Sequence, residues 1–148
     1  MNKCEFTAHY IASYCDNELR KGLKGVSETE TEQRLDAIIR LFCCLHGRDV
    51  FIKSYIKFLS NRLLNKTFLS AEAEEQMLSK LKVECGHNTT NKMSQMFTDL
   101  TLSKDLMTAF ATSHKQGVID GVEIKAEILT NGHWPEQVLV NCTLPPEL

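Results

Sequence analysis

The chain has 148 residues, 43% of them apolar and 24% charged. That is the balance of an ordinary globular protein and excludes a disordered or fibrous chain. Its 17 basic and 19 acidic residues leave a formal charge of −2, which argues against a dedicated binder of nucleic acid or anionic membrane, since such proteins carry a basic excess.

No apolar run reaches the roughly 18 residues of a membrane span. Lys3, Glu5 and His9 stand where a secretory signal would be apolar. The expectation is an intracellular protein, its six cysteines free thiols at no framework spacing.

Phe6, Tyr10, Tyr14 and Leu19 recur at near-helical spacing, with Ile11 and Cys15 beside them. They predict a first helix over about 4–20, ended by Gly22 and Gly25. Ser27 and Glu30 read as a capping box for a second helix reaching about His46, with Leu35, Ile38, Phe42 and Leu45 inward. Asp49 is the expected N-cap of a third helix to about Asn65. Phe51, Ile52, Tyr55, Ile56, Phe58, Leu59, Leu63 and Leu64 cover more than one face of it, the mark of a central helix. Ser70 caps a fourth helix with Met77, Leu78, Leu81 and Cys85 inward and Gly86 at its end. Thr89 or Thr90 opens a fifth, with Met93, Met96, Phe97 and Leu100, and Ser103 restarts a short sixth.

The period then changes. Val122, Ile124, Ala126 and Ile128 alternate with charged residues, predicting a half-buried strand over 122–130. Asn131-Gly132 is a turn signal, and Val138, Val140 and Cys142 alternate as a second strand. The fold expected is mainly α: a helical bundle over 1–115, then a β-hairpin over 116–148. An isolated hairpin is marginal in water, so this one either docks on the helices or belongs to a subdomain cut short. The predicted bundle core is Leu35, Ile38, Phe42, Phe51, Tyr55, Phe58, Leu59, Met77, Leu81, Met96 and Phe97.

Reactive chemistry is hard to find. No phosphate-binding loop, dinucleotide fingerprint, nucleophile elbow or zinc-protease motif is present. Cys85 and His87 invite a thiolate–imidazole pair, but Cys85 lies on an apolar stripe and reads as a structural thiol. Cys4 with His9, and Cys43 and Cys44 with His46, lack the second pair a metal site needs. No metal or cofactor is expected. Glu28, Glu30 and Glu32, and Glu74 with Glu75, sit at helix starts, where the helix dipole accounts for them. Lys53, Lys57, Arg62 and Lys66 make the third helix basic. They read as a nucleic-acid face only weakly, since no aromatic residues interleave, and the acidic fourth helix is the alternative neighbour. Trp134, the only tryptophan, is either a lid on the hairpin junction or an interface anchor.

Several strings together resemble the cullin family. They are Cys85-Gly86, Thr90-x-Lys92-Met93-x-x-Met96-Phe97-x-Asp99 and Ser103-Lys104-Asp105-Leu106. Upstream stand Arg48-Asp49-Val50-Phe51 with Tyr55, Arg62-Leu63-Leu64, Ala73-Glu74 and Met77 to Lys82. Downstream stand Ile128-Leu129-Thr130, Trp134-Pro135 and Leu144 to Leu148. The resemblance covers nearly the whole chain in order. Departures at Gly47, Ser60-Asn61 and His87-Asn88 leave the subtype open, and with it the adaptor and substrates.

The resemblance implies a non-catalytic scaffold segment of a RING-type ubiquitin ligase acting in ubiquitin-dependent degradation, in cytoplasm and nucleus. It implies a four-helix bundle and the first strands of an α/β subdomain, with N-terminal cullin repeats and a RING-box protein as partners in a longer protein, and neither nucleic acid nor membrane. Val122, Ile124, Ala126 and Ile128 are then candidates for the strand that a RING-box protein pairs with, and Trp134 for an interface anchor.

Overall fold

The computed structural model describes residues 3–113, 118–119 and 122–135. The chain divides into two compact units, Met1–Ser94 and Gln95–Leu148. The first holds α1 (Lys3–Asn17), a π-helical turn (Glu18–Gly22), α2 (Glu28–Cys43), α3 (Arg48–Leu64) and α4 (Ala71–Cys85). The division falls inside α5 (His87–Ser113), ahead of the 115/116 boundary read from sequence.

Two helix starts follow side-chain chemistry. Ser27 Oγ accepts the Glu30 N–H at 3.2 Å and Ser70 Oγ accepts the Ala73 N–H at 3.0 Å, each satisfying a donor that the first helical turn leaves free. Asp49 is not the cap of α3. The cap is Gly47 and the helix starts at Arg48, so Asp49 lies in its first turn, where the helix dipole still favours its negative charge. Gly86 ends α4 at φ +79°, a conformation that side chains resist.

The glycine at the end of the first helix has another role. α1 widens into the π-helical turn, which buries Glu18 and Leu19. A side chain at Gly22 would run into the Glu18 carboxylate. Arg34 of α2 donates to that carboxylate at 3.3 Å and to the Gly22 carbonyl at 3.2 Å, fastening α2 to the turn.

The inward face of α1 also differs from the aromatic spacing. Phe6, Tyr10 and Tyr14 are exposed, while Ala8, Ala12 and Cys15 are buried. Small side chains let α1 lie close on α3, its main neighbour. α3 is buried along Phe51, Ile52, Tyr55, Leu59 and Leu63, with Phe51 stacked on Tyr55 at 5.9 Å and tilted against Phe42 at 4.9 Å. Leu35, Ile38, Phe42, Phe51, Tyr55, Leu59, Met77, Leu81 and Met96 are at most 1% exposed; Phe58 and Phe97 are only half-buried.

The expected fifth and sixth helices are one. α5 runs 27 residues without a break at Ser103. Between Thr98 and Ser103 there is neither glycine nor proline to stop it. Thr101 turns its hydroxyl back to the Phe97 carbonyl at 3.1 Å, so it does not open a new helix.

The strands depart most from expectation. β1 (Val118–Ile119) and β2 (Val122–Glu123) pair antiparallel, with Val118 opposite Glu123 and Ile119 opposite Val122. This is not the hairpin read from sequence. The strand expected over 122–130 joins a ladder only as far as Glu123, and its expected partner, Val138 to Cys142, lies outside the described residues.

Leu59 is wholly buried and Phe58 is not. Leu59→Ala should therefore cost about 3 kcal/mol and Phe58→Ala distinctly less, read by urea unfolding of the whole chain. Equal losses would contradict this packing.

Candidate partner-binding surface

Residues 124–130 lie on α5, held by side chains instead of a neighbouring strand. Ser103 Oγ accepts the Ile128 N–H at 2.7 Å and donates to Glu127 Oε2 at 3.4 Å. One helical turn earlier, Asp99 Oδ2 accepts the Thr130 N–H at 2.9 Å and Oδ1 accepts the Thr130 hydroxyl at 2.7 Å. Asp99 Oδ2 also accepts the Trp134 indole N–H at 2.7 Å. Asp99 is 5% exposed and Ser103 is 1% exposed.

The turn at Asn131-Gly132 is not of the type that the Asn-Gly pair predicts. Gly132 has φ +88°, Asn131 has no positive φ, and the His133 N–H reaches the Thr130 carbonyl at 3.5 Å. That places the positive φ at the third turn position, where a type II turn needs it. The turns that favour a hairpin with this sequence need positive φ at both central residues. Through this turn the chain brings Trp134 onto Asp99.

The strand candidates fall on one stretch. Ile124 is half-buried, Ala126 is exposed and Ile128 is 50% exposed, while Val122 lies in β2. Trp134 is half-buried with its indole N–H engaged, which is the geometry of a lid. Burial raises the pKa of Asp99, but the hydrogen bonds from Trp134 and Thr130 and the nearby His133 outweigh it and hold the carboxyl below its ordinary value of 3.8.

The basic row on α3 comes apart in the structure. Lys53, Lys57 and Lys66 are exposed, but Arg62 is wholly buried. Its Nε and Nη2 donate to the two oxygens of Glu74 on α4 at 2.6 and 2.8 Å, and its Nη1 donates to Asp16 of α1 at 2.6 Å. The guanidinium carbon lies 5.5 Å from the Tyr55 ring centroid. Glu74 is 1% exposed, so it is not the solvent-facing capping residue expected from sequence. Burial disfavours the charge on Arg62, yet Glu74 and Asp16 more than compensate and raise its pKa. The acidic fourth helix is indeed the neighbour of this arginine.

Three of the thiols, Cys15, Cys43 and Cys85, are held in the neutral form. Burial pushes the thiol of Cys85 above its ordinary pKa, and His87 is exposed at the start of α5. Cys15 is wholly buried and shifted further in the same direction. Cys43 donates to Glu84 at 3.2 Å, which also raises its pKa. A neutral thiol is a poor nucleophile. Among the described residues, no three His, Cys, Asp or Glu side chains gather as a metal-binding group, and no helix is long and apolar enough to cross a membrane.

Two outcomes test these joints. Arg62→Met strands the Glu74 carboxylate in the interior, while Asp16 keeps Arg20 at 3.6 Å, and should cost about 3–5 kcal/mol in urea unfolding. Adding Asp16→Leu and Glu74→Leu should recover most of that loss. For Asp99, the folded-state pKa is depressed, so its contribution is complete above the ordinary carboxyl value and disappears as pH falls through the lower one. Quenching of Trp134 fluorescence by acrylamide should stay flat between about pH 7 and 4.5 and rise in more acid solution. Asp99→Asn should abolish that pH dependence.

Comparison with known proteins agrees with the strings quoted above. A family model described as the cullin alpha solenoid domain matches residues 1–107. Cullin-3 of Dictyostelium discoideum is 43% identical over 141 residues, covering 94% of this chain and 18% of that protein. Human Cullin-4A is 43% identical over 143 residues, covering 95% and 19%. Cullin-3A of Arabidopsis thaliana is 41% identical over 139 residues, covering 94% and 19%. The chain thus spans under a fifth of the length of these relatives. A match that takes in nearly every described helix, at this identity, places the chain in the cullin family.

Proposed function

We propose that this chain is a non-catalytic scaffold segment of a cullin-RING ubiquitin ligase. It connects an arm of N-terminal cullin repeats, which holds the substrate receptor, to the end that binds a RING-box protein. The observation that carries this reading is the use to which the family-resembling residues are put. Arg62, Glu74, Asp99, Ser103 and Trp134 are spent on joints between elements. The setting is ubiquitin-dependent degradation in cytoplasm and nucleus.

The mechanism on this reading is geometric. Holding a substrate and a ubiquitin-charged conjugating enzyme on one frame raises the effective concentration of the substrate lysine at the thioester. A frame does this only if it is stiff. The bundle, tied through α3, supplies a rigid joint. The stretch 122–130 supplies a strand for the RING-box protein to pair with, and Ile124, Ala126 and Ile128 form the face it offers. Nucleic-acid binding loses ground as an alternative, because Arg62 is withdrawn from the basic row.

The test is co-purification with a RING-box protein, using this chain beside a cullin chain extended through the whole α/β region. The extended chain should bind and the short one should not. Ile124→Asp with Ile128→Asp in the extended chain should abolish binding, while helix content stays unchanged. Full retention by that variant would overturn the strand assignment, and no binding by the extended parent would overturn the scaffold reading.

A further inference from the structure

The first turns of α2 and α4 face each other across a cleft of about 350 Å³, at the small end of ligand-sized sites. Leu23, Val26 and Leu69 give it an apolar lining, and Glu28 and Glu72 bring two exposed carboxylates. Gln76 also lines it, and its Oε1 is buried and accepts no hydrogen bond. Among the described residues, neither lysine nor arginine forms part of its wall.

The groove between these helices shows what such a wall accepts. One helical turn beyond Glu28 and Gln76 come Glu32 and Lys80. Lys80 crosses from α4 to α2, where it donates to Asp36 and stands 3.8 Å from Glu32. At that level an ammonium on an aliphatic stem sits among carboxylates. At the level of Glu28 a glutamine takes the place of the lysine, so acceptors remain and the cation is missing. The helix dipoles offset only part of the charge. Each helix start carries about half an elementary positive charge, against a full negative charge on each glutamate. Hydrogen bonds from its own backbone N–H and from Ser70 hold the Glu72 carboxyl below its ordinary value of 4.5, so it is ionised at neutral pH.

We propose that this cleft docks a lysine side chain of a partner protein. The stem lies along Leu23, Val26 and Leu69, and the three N–H groups of the ammonium go to Glu28, Glu72 and Gln76 Oε1. The Gln76 amide presents that oxygen by turning about its last torsion, which is broad. Binding thereby satisfies an acceptor that burial otherwise leaves unpaired. Lysine suits the cleft better than arginine, because three acceptors match three donors and the groove already seats Lys80. The site lies wholly within the first unit and stands apart from the RING-box reading.

The test follows backbone amide shifts of the isotope-labelled chain during titration with the peptide acetyl-Gly-Ser-Lys-Ser-Gly-amide. Saturable shifts should appear at the Leu23, Thr31, Leu69 and Gln76 amides, with a dissociation constant on the order of 1 mM. The same peptide with norleucine for lysine should bind about tenfold more weakly. Glu28→Gln combined with Glu72→Gln should weaken lysine-peptide binding about tenfold. Glu75→Gln, an exposed carboxylate of α4 outside the cleft wall, should leave it unchanged. Gln76→Leu removes the third acceptor without touching either helix start, and should weaken binding about threefold, so the test stands even if the double variant fails to fold.

Equal binding of the norleucine peptide would make the cleft merely apolar and overturn the proposal. An equal loss in Glu75→Gln would make the attraction a diffuse charge effect and overturn it as well. So would the absence of saturable shifts at the cleft amides, or a Gln76→Leu chain that binds as the parent does.

Discussion

A guanidinium keeps its proton inside a protein, so an arginine placed in a core demands carboxylates of fixed number and direction. Arg62 makes that demand of the bundle. Its planar fork addresses both oxygens of Glu74 and leaves one amino group for Asp16, so α4, α3 and α1 share one set of distances. Apolar packing alone tolerates sliding and rotation of helices, because it is nondirectional. The charge cluster does not, and it fixes which helix faces which. Hydrophobic burial around Tyr55 and Cys15 then keeps water away from the same groups, and the low local dielectric strengthens their attraction.

The second unit uses the same device on a smaller scale. Asp99 gathers two backbone and side-chain donors from Thr130 and one from Trp134, and a single carboxylate thereby replaces what a strand ladder would have supplied. In both places a short list of polar side chains decides geometry, and the surrounding apolar residues decide how much stability there is to distribute. α2 is held in a third way, through Arg34 to Glu18 and the Gly22 carbonyl and through Asp36 to Lys80 of α4. These contacts are more exposed, and surface ion pairs contribute little.

Helices and their starts were legible in the sequence because their signals are local. Ser27 and Ser70 cap where the pattern placed them, and the central burial of α3 follows from apolar residues on more than one face. Glu74 and Asp16 were not legible as partners of Arg62, because the three lie on separate helices and spacing along the chain says nothing about them. Charge did give a hint, in the basic α3 followed by the acidic α4. The aromatic spacing of α1 misled, since Phe6, Tyr10 and Tyr14 mark its outer face while alanines mark the inner one. The strand reading is met only at Val122–Glu123 among the described residues, for a related reason. Alternation reports an extended backbone, and it does not report whether a strand or a helix lies alongside. Asp99 stood inside a recognisable motif, yet its task depends on Thr130 and Trp134, more than thirty residues later.

The Arg62 cluster also bears on how such a bundle changes over generations. Its members are not equally replaceable. Loss of Asp16 or of Glu74 leaves the guanidinium paired with the other carboxylate, whereas loss of Arg62 leaves Glu74 in the interior with no cation beside it. Substitution therefore has a direction: Glu74 must go before the arginine can. The same core rebuilt in hydrocarbon would fold, but only some orders of replacement lead to it without a buried, unpaired charge on the way.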